Sequence, residues 1–183
     1  NSAVLAWPVS DKEASEESTL RIRSSSLLTC SGCIVDIDYN GTATFDGDIT
    51  CGTLTVSVGE NTYTTSTNAI LVTGNSMSVT VVRESLVLDG SSWKCTGASC
   101  DLDIIVGRDM NLSGNALIES DKSNSVMAIS IARRLHMYDT AIMQALGYMS
   151  TIALNASTSV LLADTSLMKT STIRLISPTM DIS

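Results

Sequence analysis

The stretch Ile104-Ile-Val-Gly-Arg-Asp-Met-Asn-Leu-Ser-Gly114 returns 25 residues later as Ile129-Ser-Ile-Ala-Arg-Arg-Leu-His-Met-Tyr-Asp139. In each copy two short apolar runs flank an arginine corner, and a turn residue closes the second run. Alternation with a period of two marks β-strands, whose successive side chains point to opposite faces. A fixed return of such units marks a solenoid, in which no unit buries its own apolar face and stacking buries all of them together.

Runs of the first kind extend the pattern in both directions: Leu20-Arg-Ile22, Val35-Asp-Ile37, Leu54-Thr-Val56, Val79-Thr-Val81, Ile152-Ala-Leu154 and Ile173-Arg-Leu175. Runs of the second kind are Leu86-Val-Leu88, Met110-Asn-Leu112, Leu135-His-Met137 and Val160-Leu-Leu162, each ending at a turn, with Ala69 to Gly74 and Thr42 to Gly47 as earlier copies. A third segment places Trp93, Leu117, Ile142 and Leu167 in an expected inward column at spacings of 24, 25 and 25. Arg83, Arg108 and Arg133 keep the same register at the first corner. Three short strands per coil follow. About eight coils, at a rise of about 4.8 Å each, predict a prism roughly 38 Å long. The polar, Thr-rich stretch from Gly59 to Ser66 reads as a loop.

Inward ladders of Ile, Leu and Val, three strands per coil and Gly or Asp at the turns resemble, across residues 19 to 183, the pectin-lyase-like superfamily of right-handed parallel β-helices. The resemblance is architectural and carries no diagnostic motif. It implies an all-β chain coiled as a right-handed parallel β-helix. That superfamily holds polysaccharide lyases and hydrolases, and also surface proteins, adhesins and filament subunits without chemistry. β-Helices bearing cysteines and sequons look most like the surface proteins, although fold alone does not choose among these uses.

Residues 1 to 18 stand apart, because Val4, Leu5 and Trp7 precede Pro8 and an acidic run from Asp11 to Glu17. They are expected to cap the first coil, whose uncovered edge would expose unpaired strands. At the other end Met180-Asp-Ile182-Ser183 keeps the strand pattern. The expectation there is a longer solenoid, or an edge that pairs end to end with another copy.

The net charge of -8 argues against nucleic acid, since phosphate binding needs clustered Lys and Arg. No run of about 18 apolar residues is present, so membrane insertion is not expected. The cysteines Cys30, Cys33, Cys51, Cys95 and Cys100 sit in turn-like segments beside glycines. Cys95 with Cys100 is the first expected disulfide and Cys33 with Cys51 the second, with Cys30 to Cys33 as its rival. Either choice leaves an odd thiol, which points to a partner in another chain or in another part of a parent protein. The glycosylation sequons at Asn40, Asn111 and Asn155 join the cysteines in pointing to a secreted, cell-surface protein.

For chemistry, the carboxylate pairs Asp36 with Asp38 and Asp101 with Asp103 are the best candidates, each pair facing outward around an inward apolar residue. About three coils separate the pairs, or roughly 14 Å, too far for a paired acid and base. Asp46 and Asp48 flank Gly47 in a turn, where short carboxylates cap backbone amides. His136 is expected to point outward near Arg134 and Tyr138, with no nucleophile in register. The arginine column would repel itself unless Glu84 and Asp109 intervene, and Arg134, standing where the acid should be in the third coil, is where an anionic or glycan ligand would enter. Thr42/Thr44, Thr53/Thr55 and Thr62/Thr64 do not form the regular column an ice-binding face needs. Met110, Met127, Met137, Met143 and Met168 read as core filler. With aromatic residues at 4%, a sugar cleft is thinly supplied. The reading is a structural or adhesive extracellular module, not an enzyme, with no metal or cofactor; a carbohydrate-active or glycan-binding β-helix is the alternative.

Overall fold

The computed structural model describes residues 19–23, 27–64, 69–97, 100–121 and 123–183. The cap expected over residues 1 to 18 lies outside them. Among the described residues every regular element is a strand, and every strand pairing is parallel. The chain is a parallel β-solenoid with three strands to a coil, forming three walls.

The first wall stacks Asp101–Val106, Val126–Ile131, Thr151–Ala156 and Thr172–Ile176 on the C-terminal halves of the long strands Leu27–Tyr39, Asp48–Val58 and Ala69–Val81. Among the described residues the second wall is a separate sheet of eight strands: Thr19–Ile22, Thr42–Phe45, Thr62–Thr64, Leu86–Asp89, Asp109–Ser113, Arg134–Met137, Ser159–Leu162 and Thr179–Ile182. The third wall stacks Ser92–Cys95, Leu117–Ser120, Ile142–Ala145 and Leu167–Lys169 on the N-terminal halves of the same three long strands. Those long strands run through a corner, so the first and third walls share one sheet.

Alternation explains the core. On the first wall Val35, Leu54, Met77, Leu102, Met127 and Ile152 stack as one inward column, and Ile37, Val56, Val79, Ile104, Ile129 and Leu154 as the next. On the second wall Leu86, Met110, Leu135 and Val160 form a column that is wholly buried. Each such aliphatic side chain contributes about 1.5–3 kcal/mol when taken out of water. Like residues stack on like because a parallel, in-register ladder repeats each environment one strand spacing further on. Met110, Met127, Met137 and Met143 lie fully inside, and Met168 is partly buried against the core.

Four expectations need correction. Leu20 and Ile22 belong to the second wall, where Leu20 is the register partner of Ala43, and not to the series of first strands. Thr62–Thr64, expected in a loop, is a second-wall strand whose Thr62 and Thr64 point inward and are fully buried. Its polar sequence hid it, yet the neighbouring strands supply its ladder, and the Thr64 and Ser91 hydroxyls satisfy each other at 2.7 Å. Ala69 to Gly74 is consequently part of the third wall, with Ile70 against Trp93. On that wall the inward column is Ile70, Trp93, Ile118, Met143 and Met168, whereas Leu117, Ile142 and Leu167 face outward. Side chains apolar on both faces of these strands left their alternation undecided.

Candidate functional site

Three ridges run along the solenoid where the walls meet, and most of its polar chemistry lies on them. At the corner from first to second wall, Arg108 Nη1 lies 2.7 Å from Glu84 Oε2, and Arg133 Nη1 lies 3.7 Å from Asp109 Oδ2. Each arginine thus reaches back to the acid of the coil before it, which relieves the like-charge column. Arg134 faces Asp109 as its register partner, so the basic residue that breaks the pattern also stands opposite a carboxylate.

At the corner from second to third wall a turn repeats. Gly90, Gly114, Asp139 and Asp164 all have positive φ, between 55° and 72°, a conformation that Gly tolerates best and Asp better than most. The aspartates use it to bond between coils: the Gly114 amide donates to Asp139 Oδ2 at 2.9 Å and the Asp139 amide to Asp164 Oδ2 at 3.1 Å. Thr140 and Thr165 add hydroxyl donors to the carbonyls of Gly114 and Asp139. Nearer the N-terminus, buried Asp46 accepts from Arg21 Nη2 at 2.8 Å, and Asp48 accepts from the Ala69 amide at 2.8 Å.

The corner from third to first wall carries the cysteines. Cys95 and Cys100 are joined, with Cα atoms 5.7 Å apart, and so are Cys30 and Cys33, with Cα atoms 5.4 Å apart. Cys33 is therefore bonded to Cys30 and not to Cys51, which corrects the second expected pairing. The reason is local: the register shifts between Cys30 and Ile34, and the bulged segment brings its own two ends together. Cys51 is the free thiol, fully buried, and burial pushes it up to about 11. A thiol so enclosed is poorly placed to reach another chain.

One equivalence at this corner escaped the sequence reading. Cys95, Ser120 and Ala145 are register partners in turn, and Cys100, Ser125 and Ser150 precede the following strands at the same 25-residue interval. The latter three are all fully buried. Where the first of these corners is closed by a disulfide, the third is closed by the Ser150 hydroxyl, which donates to Ala145 O and Gly147 O at 2.7 Å. Counting 25 residues on from each cysteine would have found it.

No family model, curated protein or solved structure matches this chain. What can be said of a site therefore rests on geometry. Asp36, Thr55, Ser78 and Asp103 follow one another across the first wall, which leaves the two outward carboxylates three strand steps apart, or roughly 14 Å. Among the described residues no group of three or more His, Cys, Asp and Glu is placed to hold a metal ion, and no helix is long and apolar enough to cross a membrane. Thr53 and Thr55 give way to Ser76 and Ser78 and then to Asp101 and Asp103 in the same columns.

His136 faces outward on the second wall, between Asn111 and Leu161, with Tyr138 edge-on at 5.8 Å. Partial burial lowers its pKa, Arg134 lowers it further, and Asp109 opposes both. A shallow depression of about 450 Å³ lies beside it, lined by Ser159, Leu161, Thr179 and Asp181. His136 and Asp181 stand two strand steps apart with Leu161 between them, about 10 Å, so they do not form an acid–base pair. Of the sequons, Asn40 is exposed just beyond a strand end, Asn155 is exposed on the first wall, and Asn111 is half-buried between Val87 and His136.

Proposed function

We propose that this chain is an extracellular structural or adhesive module, a right-handed β-helical rod of the non-enzymatic surface-protein kind. The observation that carries this reading is where the polar side chains are used. Arg108 with Glu84, Arg133 with Asp109, Lys94 and Gln144 with Glu119, and the aspartate turns all bond one coil to the next. Side chains so employed stiffen a rod along its axis. Two disulfides fit an oxidising compartment, which supports secretion.

Self-association end to end belongs to the same reading. The last strands, Thr172–Ile176 and Thr179–Ile182, expose Ile173 and Met180 at 49% and 48%, although their columns are buried one coil earlier at Ile152 and Val160. A second copy pairing at this edge would cover them. Light scattering and negative-stain imaging across a concentration series test this. The expected result is rods of one width whose length grows with concentration. A monodisperse monomer at the highest concentration overturns the self-association. Specific turnover of a polysaccharide would overturn the non-enzymatic reading.

A further inference from the structure

We propose that Cys51 exchanges with the Cys30–Cys33 disulfide, converting a clip within one coil into a clasp between two neighbouring coils. Cys30 and Cys51 are direct register partners on adjacent parallel strands, in the column that continues through Val72 and Cys95. Adjacent strands lie about 4.8 Å apart, within the Cα separation of roughly 4.4–6.8 Å that a disulfide spans. Cys33 is held at the same corner, since a Cβ on Gly52, next to Cys51, would come within 3.0 Å of the Cys33 carbonyl oxygen. Three sulfur-bearing residues thus meet at one corner of two successive coils, and only two are bonded.

The exchange needs no external oxidant. The Cys51 thiolate attacks the Cys30 sulfur, the Cys30–Cys51 bond forms, and the Cys30–Cys33 bond breaks with its electron pair leaving on Cys33. The proton given up by Cys51 is taken by Cys33, so the chain has one disulfide and one thiol here before and after. The bridge then joins the strand Leu27–Tyr39 to Asp48–Val58 instead of bridging a bulge inside the first of them. Burial of Cys51, which raises its pKa to about 11, keeps the thiolate scarce at neutral pH and makes the clip persist. The thiolate fraction, and with it the rate, rises about tenfold per pH unit below that value.

The test uses the full folded chain, incubated without reductant at pH 7 and pH 9, then trapped with an alkylating reagent in acid. Cleavage before Asp36 and Asp48 separates Cys51 from Cys30 and Cys33, and mass spectrometry identifies the cross-linked peptide. The expected result is a Cys30–Cys51 link with Cys33 alkylated, forming on the order of a hundredfold faster at pH 9 than at pH 7, and absent from Cys51→Ser. In Cys33→Ser, oxidised in air, Cys30 and Cys51 should both become unreactive toward the reagent. Cys30–Cys33 remaining the sole link at pH 9, a Cys33–Cys51 link in its place, or two free thiols in a folded Cys33→Ser chain would each overturn the proposal.

Discussion

Replacing Ile118 and Leu117 by alanine, one at a time, tests which way the third wall faces. The two residues are adjacent, both are apolar, and they differ in direction: Ile118 is fully buried beside Trp93 and Met143, while Leu117 is half-exposed on the outer surface. Ile118→Ala removes three buried carbons, about 2.5 kcal/mol at about 0.8 kcal/mol each, and the cavity left between Trp93 and Met143 adds to it, within the roughly 2–5 kcal/mol usual for such deletions. Leu117→Ala leaves no enclosed cavity and loses only partly buried area, about 1 kcal/mol. Urea unfolding followed by circular dichroism reads both, with an unchanged slope showing that stability alone has moved. Ile118→Ala should also lower the melting temperature several-fold more than Leu117→Ala. Equal losses, or a larger loss at Leu117, would refute the register, and the pair Ile142 and Met143 one coil on must give the same order.

The corner equivalence predicts that Ser120→Cys with Ser125→Cys forms a new disulfide, seen as a loss of two hydrogens in the intact mass. By loop closure it should add about 2 kcal/mol, and two free thiols in the folded protein would contradict the matched geometry. Partial burial lowers the pKa of His136, so the unfolded chain binds the proton more readily and stability should fall as pH drops below about 6.5. His136→Gln should flatten that part of the profile; identical slopes in the two proteins would count against the burial. Gly74→Ala should unfold or strongly destabilise the rod, because its Cβ would meet the Gly52 carbonyl oxygen at 1.9 Å. A melting point within a degree of wild type would show that the corner relaxes. Asp139→Ala should cost about 1–2 kcal/mol by removing the acceptor for the Gly114 amide. Asp139→Gly should recover part of it through the positive φ of 55°; an alanine variant as stable as wild type would remove the turn ladder from the account.

What was legible in the sequence follows from how much contrast each wall offers. Second-wall runs such as Leu86-Val-Leu88 and Leu135-His-Met137 carry their direction in the alternation and align as expected from Leu86 onward. First-wall faces were equally plain, although Leu54 stacks on Met77 and not on Val79, and Ile152 on Met127 and not on Ile129, slips of one alternation that keep the face and change the partner. The third wall misled because Leu117-Ile118, Ile142-Met143 and Leu167-Met168 are apolar on both faces. There the odd interval of 24 from Trp93 to Leu117, against 25 elsewhere, marked the slip. Thr62–Thr64 was invisible for the opposite reason, since a strand whose inward residues are threonines has no apolar signal. The cysteine pairing turned on a bulge that no spacing rule announces.

The ridge between the third and first walls differs from the other two in what it permits. Chain joining the walls shortens from Cys30–Val35 to Cys51–Leu54, lengthens through Val72–Met77 to Cys95–Leu102, then holds constant through Ser120–Met127 and Ala145–Ile152. A wall strand cannot change length without carrying its inward residues out of column, whereas a corner can bulge outward and leave the ladders intact. Backbones of successive coils nearly touch at this corner, and glycine is required at Gly74 and again at Gly97 in the first of the longer corners. Where it is longer it needs closing, by Cys95 with Cys100 and then by Ser150. The exposed Leu146, Tyr148 and Met149 lie on this same ridge, in the segment that Ser150 holds in place. Among the described coils this ridge is the one whose chain length varies most, although the other two corners also differ by a residue or two. For the proposed adhesive role, the exposed Leu146, Tyr148 and Met149 are the side chains to mutate first, since substitutions there spare both the corner glycines and the inward ladders.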